Sequence, residues 1–591
     1  MKQTIMAVEA PRTRRPRGGH LTMPFIIANE AFEKVASYGL VQNMIFYLMK
    51  DYHIGLARGA NILFLWTAAT NFAPVIGAFL SDSYMGRFLT IVLGSFSSLL
   101  GTVLLWLTTM IPRARPPSCD IMTEICGKPT RGQMAVLFSS FALISAGSGG
   151  VRPCSIAFGA DQLDDKTNPQ NERVLESFFG WYYASSAAAV LLAFTGIVYI
   201  QDHMGWKIGF LVPAIFMLFS LILFVVASPL YVKIKASRSM LASFAQVPVA
   251  AYRNRNLPFP SDNSYHTKKN SLLVRPSNSL RFLNKACVIG AGNAGQPPSP
   301  WKLCTVDQVE ELKALVSVIP IWSTGIMLSI NTSQSTFPIL QASTMNRHVT
   351  KSFKIPAASF SMFTVIALGL WVVLYDRAIL PFASKMRGKP VKISAKVRIG
   401  VGLFLSFTAM VVSAAVERIR RGRAITEGFS DNPQGIVHMS AMWLVPQYCL
   451  HGFAEAFNAI GQTEFYYSEF PKSMSSIAAC LFGLGMAVAN LLASAILKAV
   501  NTLTSRDGRE SWVSDNINKG RYDSYYWLLA VMSAINLPYF FLCSWAYGPC
   551  KNEEQLLQEA IVVVNGEKTK DDEWASSKLK TMSSKEGSPK I

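Results

Sequence analysis

Long apolar stretches without a single charge constrain this chain's fold more than any other feature. "ILFLWTAATNFAPVIGAFL" (Ile62 to Leu80) and "FLTIVLGSFSSLLGTVLLWLTTMI" (Phe88 to Ile111) are two of them. Each is about the 20 residues an α-helix needs to cross a hydrocarbon core of about 30 Å. A soluble core accommodates one or two such runs, not a chain full of them. Half of the residues are apolar and only 16% are charged, against about 25% in soluble domains. The sequence predicts an all-α membrane protein with twelve transmembrane helices. The spans fall near 23–49, 58–81, 88–111, 132–158, 175–200, 207–231, 307–337, 357–383, 393–417, 436–465, 473–500 and 524–548. Several exceed 20 residues, so tilt or projecting ends are expected.

The formal net charge is +20. The basic residues lie mainly between spans, which points to membrane orientation rather than nucleic acid. The N-terminal tail carries Lys2, Arg12, Arg14, Arg15 and Arg17 against Glu9, and the stretch from Lys233 to Lys302 holds eleven Lys or Arg against Asp262 alone. An even number of spans puts both tails and this stretch on one side, which the basic excess assigns to the cytoplasm. The loop 112–131 dissents: it is assigned outside yet carries Arg113, Arg115, Lys128 and Arg131. The expected organisation is a basic tail (1–22), a six-helix bundle (23–232), a basic linker (233–306), a second six-helix bundle (307–548) and a Ser-rich disordered tail (549–591). No cleavable leader is read at the N-terminus, so the first span itself would direct insertion. Cys119 and Cys126 share one loop and either pair or stay as two thiols. No metal-ligand spacing appears, and no cofactor is implied.

Six spans, a linker and six spans is the plan of two-bundle transporters, with substrate between the halves near the midplane. "GAFLSDSYMGRFLT" after span 2 has an echo in "VVLYDRAILPFASKMRGK" after span 8, each with an Asp–Arg cluster (Asp82 and Arg87; Asp376 and Arg377). Ionisable residues inside spans are costly and mark function. In "NEAFEKVASYGL", Glu33 and Lys34 lie at i+3 and i+4 from Glu30, so a helix gathers all three on one face. In "GSGGVRPCSIAFGADQ", Arg152 stands between a glycine cluster and Pro153, residues that interrupt membrane helices where backbone lines a cavity. Its fork of donors suits an anion. In "HGFAEAFNAIGQTEF", Glu455 lies near mid-span with Asn458 one turn on, and an ion pair between Arg152 and Glu455 is expected across the cleft. His451 is assigned packing or hydrogen bonding. "NTSQST" in span 7 (Asn331, Thr332, Gln334) either contacts substrate or joins helices.

These residues carry a family resemblance over nearly the whole chain. The sequence resembles the plant nitrate/peptide transporter family, the proton-coupled oligopeptide branch of the major facilitator superfamily. Glu30-x-x-Glu33-Lys34 is similar to the family's ExxE[R/K] motif, to which proton coupling is ascribed. "FGADQ" (Phe158 to Gln162) is a family signature. "EAF" at Glu455 is similar to the helix-10 glutamate that pairs with a basic helix-4 residue. The "GAFLSDSYMGRFLT" turn (Gly77, Asp82, Gly86, Arg87) is similar to the superfamily's conserved turn. The resemblance implies the major facilitator fold, two six-helix bundles and no enzymatic activity. It implies proton-coupled symport of a small anionic solute by alternating access. Nitrate is the first expectation, with peptides, hormones and specialised metabolites as other cargo of the family. A membrane sensor or scaffold with little net transport is the alternative. Implied partners are protons, the solute, the lipid bilayer and a kinase acting at Thr90, which is otherwise a solvent-exposed turn threonine; nucleic acid is not one. The location implied is the plasma membrane or the vacuolar membrane. Two positions depart from the family. Helix 4 has Arg152 where lysine is usual, and arginine does not lose its proton. Helix 7 has Thr332 where some nitrate carriers have histidine, so anion recognition there would fall to Arg152.

Overall fold

The computed structural model describes residues 18–117, 119, 126–164, 170–234, 240–260, 265–267, 275–289, 299, 301–388, 393–471 and 474–549. Residues 1–17 of the expected N-terminal tail, 550–591 of the C-terminal tail and parts of the linker lie outside the described residues. Helices of the first half are α1 (Met23–Lys50), α2 (Leu56–Leu80), α3 (Arg87–Met110), α4 (Arg131–Leu163), α5 (Asn171–Leu192) and α6 (Val198–Val226). A linker helix, α7 (Met240–Arg253), follows. The second half holds α8 (Val306–Ser333), α9 (Thr336–Ser343), α10 (Met362–Leu374), α11 (Leu380–Arg387), α12 (Ala395–Thr426), α13 (Val445–Glu469), α14 (Ser475–Thr504) and α15 (Tyr522–Tyr547).

Nine helical stretches among the described residues are long and apolar enough to span a membrane. One, Asn171–Val226, turns at Gly205, whose φ of 76° suits glycine, and so holds two spans. Two more helices, α1 and α13, have spanning length but carry the charged residues that lower their hydropathy. Among the described residues this is consistent with twelve spans. Local chemistry sets several starts: Thr130 with Gln133 and Thr305 with Gln308 form reciprocal capping boxes at α4 and α8. The side facing the linker and the first residues is called the linker side below, and the opposite side the far side.

On the far side a single apolar cluster draws on both halves. Leu40, Met44 and Tyr47 of α1 and Phe64 of α2 join Leu497 of α14 and Tyr525 of α15. Polar contacts reinforce this seal. Ser361 donates to Gln42 Oε1 at 3.0 Å, Ser494 donates to Asn61 Oδ1, and the Leu56 N–H donates to Asp515 Oδ1 at 2.6 Å. On the linker side the cores separate. Ile26, Ile91, Phe158 and Phe224 form a cluster within the first half, and Ile321, Ile399, Phe465 and Met474 one within the second. Between them Tyr183 and Tyr467 are 63% and 52% exposed. The structure is closed on the far side and opens toward the linker side.

Three expectations are corrected. Pro153 and the glycines before it do not interrupt α4, which runs unbroken from Arg131 to Leu163. The glycines serve close packing: a Cβ built on Gly149 would lie 2.8 Å from Ala73 of α2, and one on Gly150 would lie 2.8 Å from Gly94 Cα of α3. Span 9 does not end near 417; α12 continues to Thr426 because its charges find buried partners. Glu417 and Arg420 pair at 2.7 Å with both side chains fully buried. Gln341 Nε2 donates to Glu417, and Arg420 donates to Thr344, Asn518 and the Ile517 carbonyl. The linker is not simply a polar loop. In it α7 and the 3-10 turn Arg281–Cys287 share a small core with Val306, Val309 and Leu312 at the start of α8.

The dissenting loop is explained by its contacts. Cys119 and Cys126 form a disulfide, and Arg115 pairs with Asp51 at 2.5 Å, so one of its cations is neutralised locally. The repeat echo also has a backbone counterpart. Asp82 and Asp376 each take the second place of a five-residue π-helical turn, Ser81–Met85 and Tyr375–Ile379.

Candidate functional site

The helical spacing of the α1 triplet holds, and the structure adds its partners. Glu33 is ten residues past Met23, roughly 15 Å into the span. Glu30, Glu33 and Lys34 point inward, with Glu30 at 2% and Glu33 at 1% exposure. Lys34 Nζ lies 3.3 Å from Glu30 Oε1. Glu33 turns away from Lys34 to α4, where Arg152 Nε is 3.5 Å from its Oε1 and Ser148 donates to that oxygen at 2.9 Å. Arg152 Nη2 also donates to Ser37 at 3.0 Å. Two acids and two bases thus form two separate pairs, and Tyr182 of α5 faces Glu30.

Tyr38 stands between the two cations. Its ring centroid is 5.8 Å from Lys34 Nζ and 5.5 Å from the Arg152 guanidinium carbon, within cation–π range. Lys34 and Tyr38 then line a cavity of about 390 Å³ between the halves. Across it α13 presents Glu455, His451 and Gln447, and α8 presents Thr332. The expected pair of Arg152 with Glu455 is not formed in this structure: Arg152 is held by Glu33, and Glu455 makes no ion pair among the described residues. That pair would bridge the two halves, and it is open on the side where the halves part. His451, expected in packing or hydrogen bonding, lines the cavity, and its buried Nδ1 has no hydrogen-bond partner among the described residues. Among the described residues the Gln447 amide oxygen and nitrogen and the Tyr526 hydroxyl likewise have no hydrogen-bond partner, and both residues line the cavity. Buried polar groups are normally satisfied, so these groups suit a polar solute.

Of the remaining expected residues, Asn331 and Gln334 touch the cavity but are engaged in joining helices. Asn331 Nδ2 donates to Ser406 and Ser533, both at 2.9 Å. Gln334 Oε1 accepts from Tyr525 at 3.0 Å. The Thr332 hydroxyl donates back to the Leu328 carbonyl at 3.2 Å. Asn458 does not line the cavity; it is fully buried and accepts from Gln462 at 3.2 Å. Sequence reasoning missed Ser37, Tyr38 and Ser148. A signal existed for two of them, since Ser37 and Tyr38 lie four residues after Glu33 and Lys34 and continue the same face.

The turn residues serve the linker side. Gly86, at φ 74°, makes the bend. Arg87 reaches Asp161 at 2.5 Å and is only 4.0 Å from Asp82. Gly77 is not in the turn; it lies within α2, where an added Cβ would overlap the Gly149 carbonyl oxygen. "FGADQ" is an anchor. Phe158 packs in an aromatic cluster, tilted against Phe224 and edge-on to Tyr231, and Gln162 exchanges hydrogen bonds with the Val232 backbone at 3.0 and 2.7 Å. Thr90 is neither an exposed turn residue nor open to a kinase. It lies in the first turn of α3, 4% exposed, with its hydroxyl donating to the Gly86 carbonyl at 2.9 Å.

Comparison with known proteins agrees with this architecture. The family model PTR2, described as the POT family, matches residues 88–513. Protein NRT1/PTR FAMILY 1.2 of Arabidopsis thaliana is 62% identical over 556 residues, which cover 92% of each chain. Protein NRT1/PTR FAMILY 1.1 of Arabidopsis thaliana is 63% identical over 548 residues, 91% of this chain and 93% of that one. A solved auto-inhibited POT family peptide transporter shares the fold with a TM-score of 0.64 at 19% identity, covering 88% of this chain and 96% of that one. With its two halves, its cavity between them and these matches, the chain belongs to the POT family and is a multi-pass membrane transporter of small solutes.

Proposed function

We propose that the protein is a proton-coupled symporter of a small anionic solute that works by alternating access. The observation that carries this reading is the division of the buried charges into two pairs, Glu30 with Lys34 and Glu33 with Arg152, of which Lys34 lines the cavity and Arg152 lies behind it, beside the lining residue Tyr38. Protonating Glu33 removes the charge that holds Arg152. Arginine stays positive, so Arg152 is then released toward an anion in the cavity or toward Glu455 on the opposite half. Protonating Glu30 does the same for Lys34, which already lines the cavity. One proton taken up with one monovalent anion leaves the net charge of the site unchanged, so the loaded carrier crosses its occluded state without a bare buried charge. When Arg152 reaches Glu455 the linker side closes and the far-side seal is free to open. With the linker side taken as cytoplasmic, inward proton flow drives uptake from the far side. A volume of about 390 Å³ is in the range of sites for organic ligands, so the cavity admits solutes larger than nitrate.

The test is uptake into proteoliposomes under an imposed inward proton gradient, comparing nitrate, dipeptides and small organic acids. Acid-stimulated uptake of an anion is expected, and Glu33→Gln is expected to abolish the stimulation while leaving exchange of internal for external solute. Full proton-driven uptake by Glu33→Gln at equal protein content would overturn the reading, as would uptake of neutral solutes alone.

A further inference from the structure

We propose that the linker helix α7 rests on the surface of the membrane and selects anionic lipid headgroups. Its position follows from its packing. Val247, Ala250 and Ala251 of α7 are buried against Val306, Val309 and Leu312, the first two turns of a spanning helix. Ser243 accepts from Gln308 Nε2 at 3.0 Å, and Phe244 reaches the linker-side core of the second half. The helix is thus held against the linker-side end of α8, whose first two turns also carry Asp307, Glu310 and Glu311. The opposite face is not polar. Ala245, Pro248, Val249 and Tyr252 are exposed, and their spacing of three and four residues forms one stripe on a helix. Tyr252 is 68% exposed, and Phe282 and Trp301 nearby are 64% and 44% exposed.

Cations accompany these apolar groups. Arg255 stacks on Tyr252 at 4.5 Å, Arg281 and Lys285 both stack on Phe259 at 4.8 Å, and Arg253 donates to the Trp301 carbonyl at 3.4 Å. The sequence from Lys233 to Lys302 has eleven basic residues and one acid. An apolar helical stripe edged by arginine, with tyrosine and tryptophan beside it, matches the chemistry of an interfacial helix, and the charge excess matches an anionic leaflet. A partner without anionic groups would leave this charge excess uncompensated.

The experiment uses the full chain with an environment-sensitive fluorescent amino acid at position 249, in nanodiscs carrying a headgroup nitroxide lipid. Discs of phosphatidylcholine are compared with discs that also contain phosphatidylserine. Strong nitroxide quenching with phosphatidylserine, weakened by added salt, is expected. Arg253→Gln is expected to reduce the equilibrium constant for the quenched state about fivefold, the effect of one basic residue near such a surface. The salt titration keeps the test decisive if that variant is unstable. Equal quenching in both lipids, or none, would overturn the proposal. So would a blue-shifted, unquenched signal, which means that another part of the chain, such as the C-terminal tail, covers the stripe.

Discussion

One far-side contact between the halves involves a carboxylate, and its removal has a calculable effect. Asp515 belongs to the loop between α14 and α15, yet its carboxylate accepts the Leu56 N–H at the start of α2 in the other half at 2.6 Å. The α2 N-cap residue is Gly55, which has no side chain to do this. The loop is firmly held: Asn518 bonds Arg420, and the Tyr522 hydroxyl donates to the Ser514 carbonyl at 2.7 Å. Asp515 therefore caps a helix that moves with the opposite half. A hydrogen bond to a charged group contributes about 1.5–3 kcal/mol and a cap about 1 kcal/mol. Asp515 is solvent-exposed, so about 1–2 kcal/mol is the appropriate range. Asp515→Ala is expected to shift the equilibrium from far-side-closed to far-side-open states by about 5- to 30-fold. Spin labels at Met110 and Leu503, both exposed at far-side helix ends, report this as a longer distance in double electron–electron resonance. Asp515→Asn keeps the acceptor without the charge and should fall between. An unchanged distance distribution in Asp515→Ala would refute the reasoning.

Two further outcomes concern stability. Gly77→Ala places a methyl group onto the Gly149 carbonyl; overpacking of this kind costs about 1–3 kcal/mol and more where backbone must move, so a lower thermal midpoint in detergent is expected. Arg420→Ala strands Glu417 in a fully buried site, at about 3–5 kcal/mol, and should reduce the folded yield sharply; replacing both residues by apolar ones of similar volume should recover most of it.

Spans and the charged face of α1 were legible because length, hydropathy and helical periodicity are local properties. Which acid meets which base was not, because it depends on where α4 crosses α1. Spacing put Glu30, Glu33 and Lys34 on one face and paired Glu30 with Lys34 at i,i+4, but only the crossing gives Glu33 to Arg152. The same limit misplaced the end of span 9. "VERIRRGR" has the composition of a helix leaving the membrane, and only tertiary partners from α9 and the loop before α15 make Glu417 and Arg420 a buried pair. The glycines before Arg152 were read as a break, since glycine permits both bends and close contacts. The neighbouring helices decide between these. Cavity groups on α13 were partly legible, as Glu455 stands out in an apolar span while Gln447 does not.

The backbone contact of α4 with α2 and α3 has a mechanical side. At Gly77, Gly149, Gly150 and Gly94 the main chains meet with no side chain between them. Interleaved side chains can slip past one another by changing rotamer, but main chains in contact have no such freedom. The three helices are consequently joined into one stiff plate that carries Arg152 on its face. Such a plate cannot absorb a movement by bending at this seam. It has to hand the displacement on undiminished, so that a shift at one rim of the half arrives at the other as a tilt of the whole piece.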